Sequence, residues 1–188
     1  MAGLSVKDRL LETAARLFYQ QGYNLTGINQ ILAESDAAIG SLYKHYPSKV
    51  DLLIAYLEKA NEIYFSSLKA LTDKYNTPKD KLLAFFDFHK QFQLEGDFLG
   101  CNFMKINAEI ARQEPKVEAI VQAHKKKVQT LLHHWVLTLP RFKPAQPANA
   151  RLLTDTIYLL FEGAMIDTTI QRDLHLLNRA REIVKTML

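Results

Sequence analysis

The residues with the clearest chemical potential lie in one short stretch, residues 26–49, which reads TGINQILAESDAAIGSLYKHYPSK. Near its end a phenol, an ammonium and an imidazole follow one another at Tyr43, Lys44 and His45. Such groups form hydrogen bonds with phosphate oxygens and with the edges of bases. The functional interpretation is therefore contact with a nucleic acid. The alternative is that Tyr43 packs inside the fold and that Lys44 is an ordinary solvated side chain.

Two short helices must position these groups. Thr26 is predicted to cap the first helix, and the spacing of Ile28, Ile31 and Leu32 gives that helix an apolar face. Ser35-Asp36 is predicted to form a turn, since Asp tolerates the left-handed backbone conformation that such turns often need.

The second helix is predicted to cover Ala38 to Lys44, with Leu42 as its apolar anchor. Pro47-Ser48 ends it, and Ser48 is suited to cap the helix that follows. Two short helices joined by a tight turn form a helix-turn-helix, in which the second helix enters the major groove of DNA. The pattern thus predicts sequence-specific DNA binding.

The same stretch resembles the tetracycline-repressor (TetR) family of bacterial transcriptional regulators. The resemblance rests on Thr26-Gly27-Ile28, on the Ser35-Asp36-Ala37 turn and on the run Gly40-Ser41-Leu42-Tyr43-Lys44-His45-Tyr46-Pro47-Ser48-Lys49. Two residues depart from the family pattern. Asp36 replaces the usual turn glycine, and Ala38 replaces the usual capping Ser or Thr, so that Asp36 is the remaining candidate to cap the second helix.

The resemblance implies a set of DNA contacts. Gly40 would let the backbone approach the groove closely, and Ile39 could meet a thymine methyl group. Phosphates would be held by Lys49 and, through a helix N-terminus, by Thr26. The implied DNA-binding residues are Thr26, Ala38, Ile39, Gly40, Ser41, Tyr43, Lys44, His45 and Lys49, whereas the expected core residues are Ile28, Ile31, Leu42 and Tyr46.

The composition supports a folded helical protein without identifying its partner. The chain has 188 residues, 48% of them hydrophobic, and a formal net charge of +4. Residues 1–52 carry five basic and five acidic side chains and are formally neutral, so the salt dependence of DNA binding should be modest. A single cysteine, together with no apparent signal peptide or membrane-spanning segment, predicts a cytoplasmic protein that does not bind membranes. The resemblance implies that it is bacterial.

The remaining periodicity predicts an all-α fold of about nine helices. The fourth is expected to run from Ser48 to about Tyr75 and the sixth from Cys101 to Arg112, while residues 140–147, with three prolines, should form a loop. By resemblance, residues 1–50 form the DNA-binding domain, with the motif at about 27–46 and the module continuing to about residue 66. Residues 51–188 form an effector-binding and dimerisation domain.

The middle of the chain is rich in aromatic residues, which suggests a small-molecule pocket between helices or, alternatively, an ordinary core. Polar residues embedded among apolar ones add to the pocket interpretation, because a buried carboxylate needs a partner. The candidate effector-binding residues are Phe88, Phe92, Phe103, Asn107, Trp135, Tyr158 and Glu162.

Gly163-Ala164 would allow another helix to approach the eighth helix closely. Together with the amphipathic last helix, this pair resembles the dimer-forming helices of the family, although packing within the chain is the alternative. A symmetric homodimer fits a palindromic operator on double-stranded DNA. By the family's habit, the protein is a repressor that a small-molecule effector, of unknown identity, releases from that operator.

Other functions find less support. Cys101 is either a small structural residue or a redox-sensitive thiol at a helix start. The six histidines lack the spacing of a metal site, and no catalytic set or phosphate-binding loop is recognisable. No metal, no cofactor and no enzymatic activity are expected. The rival hypotheses are a DNA-organising protein without an effector and a helical enzyme.

Overall fold

A computed structural model describes residues 3–142 and 147–188. Within these ranges the chain is helical and contains no strand, so the predicted all-α fold class is confirmed. Part of the predicted loop, residues 143–146, lies outside the described residues. The nine α-helices are α1 Val6–Gln21, α2 Ile28–Ser35, α3 Ile39–His45, α4 Lys49–Thr72, α5 Pro78–Glu95, α6 Asn102–Ile106, α7 Pro115–Leu137, α8 Pro147–Gln171 and α9 His175–Met187.

The helix ends follow predictable capping chemistry. Gly22 ends α1 with a φ of 91°, a conformation that glycine adopts without strain. Thr77 caps α5 and accepts a hydrogen bond from the Asp80 amide, directly before Pro78. Ser48 accepts one from the Asp51 amide at 3.1 Å. The predicted cap at Ser48 is therefore confirmed.

Two predicted helices are shorter than expected. The fourth ends at Thr72 instead of Tyr75. The sixth does not run to Arg112 as an α-helix: it changes at Asn107 into a π-helical turn, Asn107–Ala111. The π-helical turn has only five residues, too few to establish a period of their own, so hydrophobic periodicity does not signal it.

The chain divides into two compact units. The first consists of Met1–Ile63 and Asn102–Gln122. In its core the ring of Phe18 lies 5.4 Å from that of Tyr23 and 5.9 Å from that of Tyr56. The predicted boundary near residue 50 is a division by function and stays a prediction, whereas this unit is defined by packing and includes a segment distant in sequence.

The second unit consists of Tyr64–Cys101 and Ala123–Leu188. Its core is formed by aliphatic and aromatic side chains of α5, α7, α8 and α9, including Phe85, Leu132, Ile157 and Leu177. Complete burial of one such side chain contributes about 1.5–3 kcal/mol. Among the described helices of either unit, none has the length and apolar character needed to cross a bilayer.

Candidate nucleic-acid interface

The turn between α2 and α3 has the backbone that its sequence predicts. Asp36 ends α2 in the left-handed conformation, with a φ of 50°. The start of α2 differs from the prediction, because Gly27 and not Thr26 occupies the capping position and makes no side-chain bond there. Ile31 and Leu42 are fully buried and fix the two helices in the first unit.

Helix α3 separates an anchoring face from a solvent face. Leu42 is buried within it and Tyr46 directly after it. On the solvent face Ile39 is 55% exposed and Tyr43 is 48% exposed. The same face carries Ala38, Gly40, Lys44 and His45, all exposed, and half-buried Ser41.

This face can make both kinds of contact that a DNA groove offers. Gly40 has no neighbouring atom within 4 Å of the position where a Cβ would lie, so its backbone is open to close approach. Ile39 supplies an apolar surface of the kind that packs on a thymine methyl group, and the polar side chains supply hydrogen-bonding groups for bases and phosphates. All seven predicted contact positions on this face are therefore at least partly accessible, and their contacts with DNA stay a prediction.

Arg9 is a positioning residue that the sequence interpretation missed. From α1, its Nε donates to the Ser35 carbonyl at 3.0 Å and its Nη2 donates to the Asp36 carbonyl at 2.8 Å. Both carbonyls lie at the end of α2, where helical partners run out. Ala38 provides no side-chain cap for α3, and the Asp36 carboxylate that was the candidate for this role forms no cap bond among the described contacts. Arg9 thus holds the turn from the opposite helix.

Thr26 is not placed to meet DNA through its side chain. It is 0% exposed, and its hydroxyl donates to the Gly22 carbonyl at 2.6 Å. The prediction that Thr26 caps α2 is wrong, and its hydroxyl instead stabilises the turn between α1 and α2. A buried hydroxyl with a carbonyl partner is structural.

Lys49 is half-buried at the start of α4. Its ammonium donates to the Tyr23 carbonyl at 2.7 Å and lies 4.0 Å from the centroid of the Tyr23 ring. Burial lowers the pKa of Lys49, and the Glu109 carboxylate opposes that effect. A phosphate contact by Lys49 remains a prediction, and it would have to form beside these internal contacts.

Comparison with known proteins relates the region that contains these helices to a family. Residues 10–56 match the family described as "Bacterial regulatory proteins, tetR family". The transcriptional regulator LmrA of Bacillus subtilis is 33% identical over 123 residues, which cover 64% of this chain and 65% of LmrA. The chain carries a tetR-family region at residues 10–56. The matched residues contain α2, the turn and α3, so the resemblance inferred from residues 26–49 is confirmed.

Further proteins match over different lengths. The uncharacterised regulator YxaF of Bacillus subtilis is 36% identical over 80 residues, which cover 42% of each chain. This chain therefore spans less than two thirds of either curated relative. A TetR regulator from Legionella pneumophila of known crystal structure covers 100% of both chains with a TM-score of 0.80 and 19% identity. At that identity the likeness concerns the fold.

The predicted effector residues of this chain are divided between its units. Phe103 is buried in the first unit, and Asn107 is exposed there, so Asn107 is not an embedded polar residue as expected. Trp135 belongs to the apolar core of the second unit. Phe103 and Trp135 are therefore core residues, as the alternative interpretation expected. A ligand contact of the other candidate residues stays a prediction.

The other four predicted effector residues lie half-buried in the second unit: Phe88, Phe92, Tyr158 and Glu162. The Glu162 carboxylate accepts from the Lys125 ammonium at 2.7 and 2.8 Å, which supplies the partner that an embedded carboxylate needs. Burial, followed by the nearby Glu162 charge, raises the pKa of Tyr158. The ring of Phe88 lies edge-on to that of Tyr64, 5.5 Å away.

The two predicted dimer residues face opposite ways. Gly163 is exposed on α8 with no atom within 4 Å of its Cβ position, whereas Ala164 is packed in the core of the second unit. The alternative of packing within the chain therefore holds for Ala164. Around Gly163, α8 exposes an apolar stripe that the sequence interpretation missed, formed by Leu152, Leu159, Ile166 and Ile170.

Proposed function

We propose that this chain is a transcriptional regulator that binds double-stranded DNA sequence-specifically through α3. The observation that carries the proposal is the division of α3 into a buried anchor, Leu42, and a solvent face with Ile39, Gly40 and Tyr43. A helix held this way can lie in the major groove without losing its packing. The match of residues 10–56 to a family of bacterial regulatory proteins supports the same function and a cytoplasmic location in a bacterium.

The proposal includes a homodimer that binds a palindromic operator. The apolar stripe on α8 supports it, since Leu159 and Ile170 are each 70% exposed and contiguous exposed apolar surface of this kind marks interaction sites. On α9, Leu176 and Ile183 are also exposed, seven residues apart in sequence. In a two-fold dimer each α3 would read one half-site, with centres about 34–36 Å apart or a multiple of that spacing.

The proposal also includes release of a repressor from DNA by a small-molecule effector. The half-buried group of Phe88, Phe92, Tyr158 and Glu162 in the second unit supports this part, because it combines aromatic surface with hydrogen-bonding groups. The effector can weaken DNA binding only by as much as it prefers the state that does not bind DNA.

The first test is selection of duplexes from a random pool by the purified chain, followed by affinity measurements on the selected duplex over a range of salt concentrations. We expect a palindromic consensus and a loss of affinity of at least tenfold in Tyr43→Ala. Tyr75→Ala removes a partly exposed tyrosine outside α3 and should bind as the wild type does. Equal affinity in Tyr43→Ala would refute the assigned contact, and binding without any consensus would favour a DNA-organising protein.

The dimer is tested separately by Leu159→Glu. A carboxylate in the centre of the stripe would have to be buried on association, so the variant should sediment as a monomer at concentrations where the wild type is a dimer. Leu137→Glu, at another exposed leucine of the second unit, is the control and should remain dimeric. If Leu159→Glu is also dimeric, the stripe is not the interface.

A further inference from the structure

One segment of the first unit lies, in sequence, between the two parts of the second unit. The chain leaves the second unit after Cys101, contributes Asn102–Gln122 to the first unit and returns at Ala123. Helix α6 and the π-helical turn belong to this segment. Both ends of this segment are therefore covalently joined to the second unit.

Lys105 of α6 binds the end of α1. Its ammonium donates a hydrogen bond to the Tyr19 carbonyl, and the charge lies 5.3 Å from the centroid of the Tyr19 ring. The carbonyls of the last helical turn lack helical partners and carry the negative end of the helix dipole, so a lysine there is favourable. Burial lowers the pKa of Lys105, and Glu109 opposes the change.

Glu109 of the π-helical turn binds the next residues along the chain. Its Oε2 accepts a hydrogen bond from the Asn24 amide at 2.8 Å. Its Oε1 lies only 2.5 Å from the position of a Cβ on Gly22, so no other residue type fits at Gly22 without displacing the carboxylate. The carboxylate also acts electrostatically on Lys49, which holds the Tyr23 carbonyl from α4.

These hydrogen bonds fix the backbone between α1 and α2 at two points. The positively charged Lys105 binds a carbonyl at the end of α1. The negatively charged Glu109 binds an amide in the turn that follows. Glu109 lies in the π-helical turn, and Lys105 lies in α6 directly before it. Such turns occur frequently at functional sites. The orientation of α2 and α3 depends on this turn.

We propose that Lys105 and Glu109 are positioning residues that couple the segment Asn102–Ala111 to DNA binding by α3. This inference rests on the proposed function. Coupling between two sites is reciprocal. If the segment favours the DNA-binding geometry of the turn, then operator binding must in turn stabilise the contacts of Lys105 and Glu109.

The reciprocal effect is measurable without knowing the effector. Hydrogen exchange of backbone amides is followed in the full chain, free and bound to the duplex selected from the random pool. In the free protein, the Asn24 amide should exchange at least tenfold faster in Glu109→Ala than in the wild type, with Glu109→Gln between them because its amide oxygen still accepts. Binding of the duplex should slow exchange across residues 102–111 in the wild type, and this slowing should be lost in Glu109→Ala.

Affinity for the duplex provides the second measurement. Glu109→Ala and Lys105→Met should each bind on the order of tenfold more weakly, the usual effect of losing one charge-assisted hydrogen bond. Glu118→Ala is the control and should match the wild type. Glu118 lies in the part of α7 that belongs to the first unit, and its side chain pairs only with Gln122 among the described contacts. If Glu109→Ala does not fold, Glu109→Gln and Lys105→Met carry the same comparison.

The outcomes separate this inference from the proposed function. A wild type that selects no duplex overturns the regulator proposal and the coupling with it. A wild type that binds its duplex without any change in exchange at residues 102–111, or variants that bind as tightly as the wild type, overturns the coupling alone and leaves the regulator standing.

Discussion

The two units of this chain are stabilised differently. In the first, turns are held by side chains that bind backbone groups, as Arg9 does at Ser35 and Lys49 does at Tyr23. In the second, a large apolar core dominates, and its ion pairs join side chains, as Arg181 does with Asp87 at 2.9 Å. The first unit therefore specifies the position of a short backbone segment, while the second specifies the packing of long helices.

This difference follows from the lengths of the helices. Helix α3 has seven residues, and an isolated helix of that length is not stable in water. Its geometry must come from the anchor Leu42 and from the residues that hold the adjoining turn. The helices α7 and α8 have 23 and 25 residues and can bury a continuous face each.

The largest effect should come from closing the open backbone of α3. Glutamate at Gly40 has room in the free protein, so Gly40→Glu should fold normally and yet lose at least a hundredfold in affinity for the selected duplex, by steric exclusion and charge repulsion from phosphates. Gly40→Ala, which raises helix propensity, is the control and should lose far less. Fluorescence anisotropy checks both variants, and tight binding by Gly40→Glu would show that α3 does not enter the groove.

A pH titration should distinguish the second unit. Burial lowers the pKa of His89 to about 3. Between pH 6.5 and that value the unfolded chain binds more protons than the folded chain, so the free energy of unfolding falls as the pH decreases. From pH 6.5 to pH 4 the loss due to His89 should be about 3 kcal/mol. His124, whose pKa burial lowers to about 4, acts in the same direction.

Urea unfolding followed by the fluorescence of Trp135, the single tryptophan, measures this loss. In the folded state the Tyr64 hydroxyl donates to His89 Nε2, and His89 Nδ1 donates to the Phe85 carbonyl. His89→Gln should be less stable at pH 7 but should show a shallower pH dependence. His134→Gln, at an exposed position, should keep the wild-type slope, and an equal slope in all three proteins would contradict the assignment to His89.

A smaller effect is expected at the turn between α2 and α3. Arg9→Met removes both hydrogen bonds to that turn, which should cost about 1–3 kcal/mol of stability in the first unit and about tenfold in DNA affinity. Arg16→Met, on the same helix, removes an ion pair with Glu34 whose partners are 44% and 36% exposed, and should change stability by less than about 1 kcal/mol. Equal losses in the two variants, measured by urea unfolding and anisotropy, would remove the special role of Arg9.

The sequence predicted much of the DNA-reading region and less of its support. The left-handed Asp36, the exposed face of α3 and the buried Ile31 and Leu42 follow from residue type and spacing, because turns and amphipathic helices depend on local chemistry. The hydrogen bonds of Arg9 join residues 26 and 27 positions apart in sequence, and no local pattern signals such a contact. Thr26 was misassigned for a different reason. The carbonyl that accepts from its hydroxyl lies only four residues before it, and residue type alone does not separate a helix cap from a hydroxyl that binds back to the preceding turn.

In the second unit, the sequence predicted the positions of the helices but did not identify the effector-binding residues. The start of α5 follows from the Thr77 cap and from Pro78 in its first turn. The aromatic residues of α5 to α8, in contrast, have the same sequence pattern whether they form a core or a pocket. Trp135 is core and Phe88 is half-buried, although both looked equally suited to a ligand. Only the three-dimensional packing separates such residues.

The most direct test of the central claim, that α3 reads bases, is to repeat the selection from random DNA with Ile39→Asn. Asparagine pairs with adenine, whereas isoleucine packs on the methyl group of thymine. The account predicts a consensus that changes at one base pair in each half-site, from thymine towards adenine, and is otherwise that of the wild type. An unchanged consensus would contradict the account, because Ile39 would then lie outside the groove.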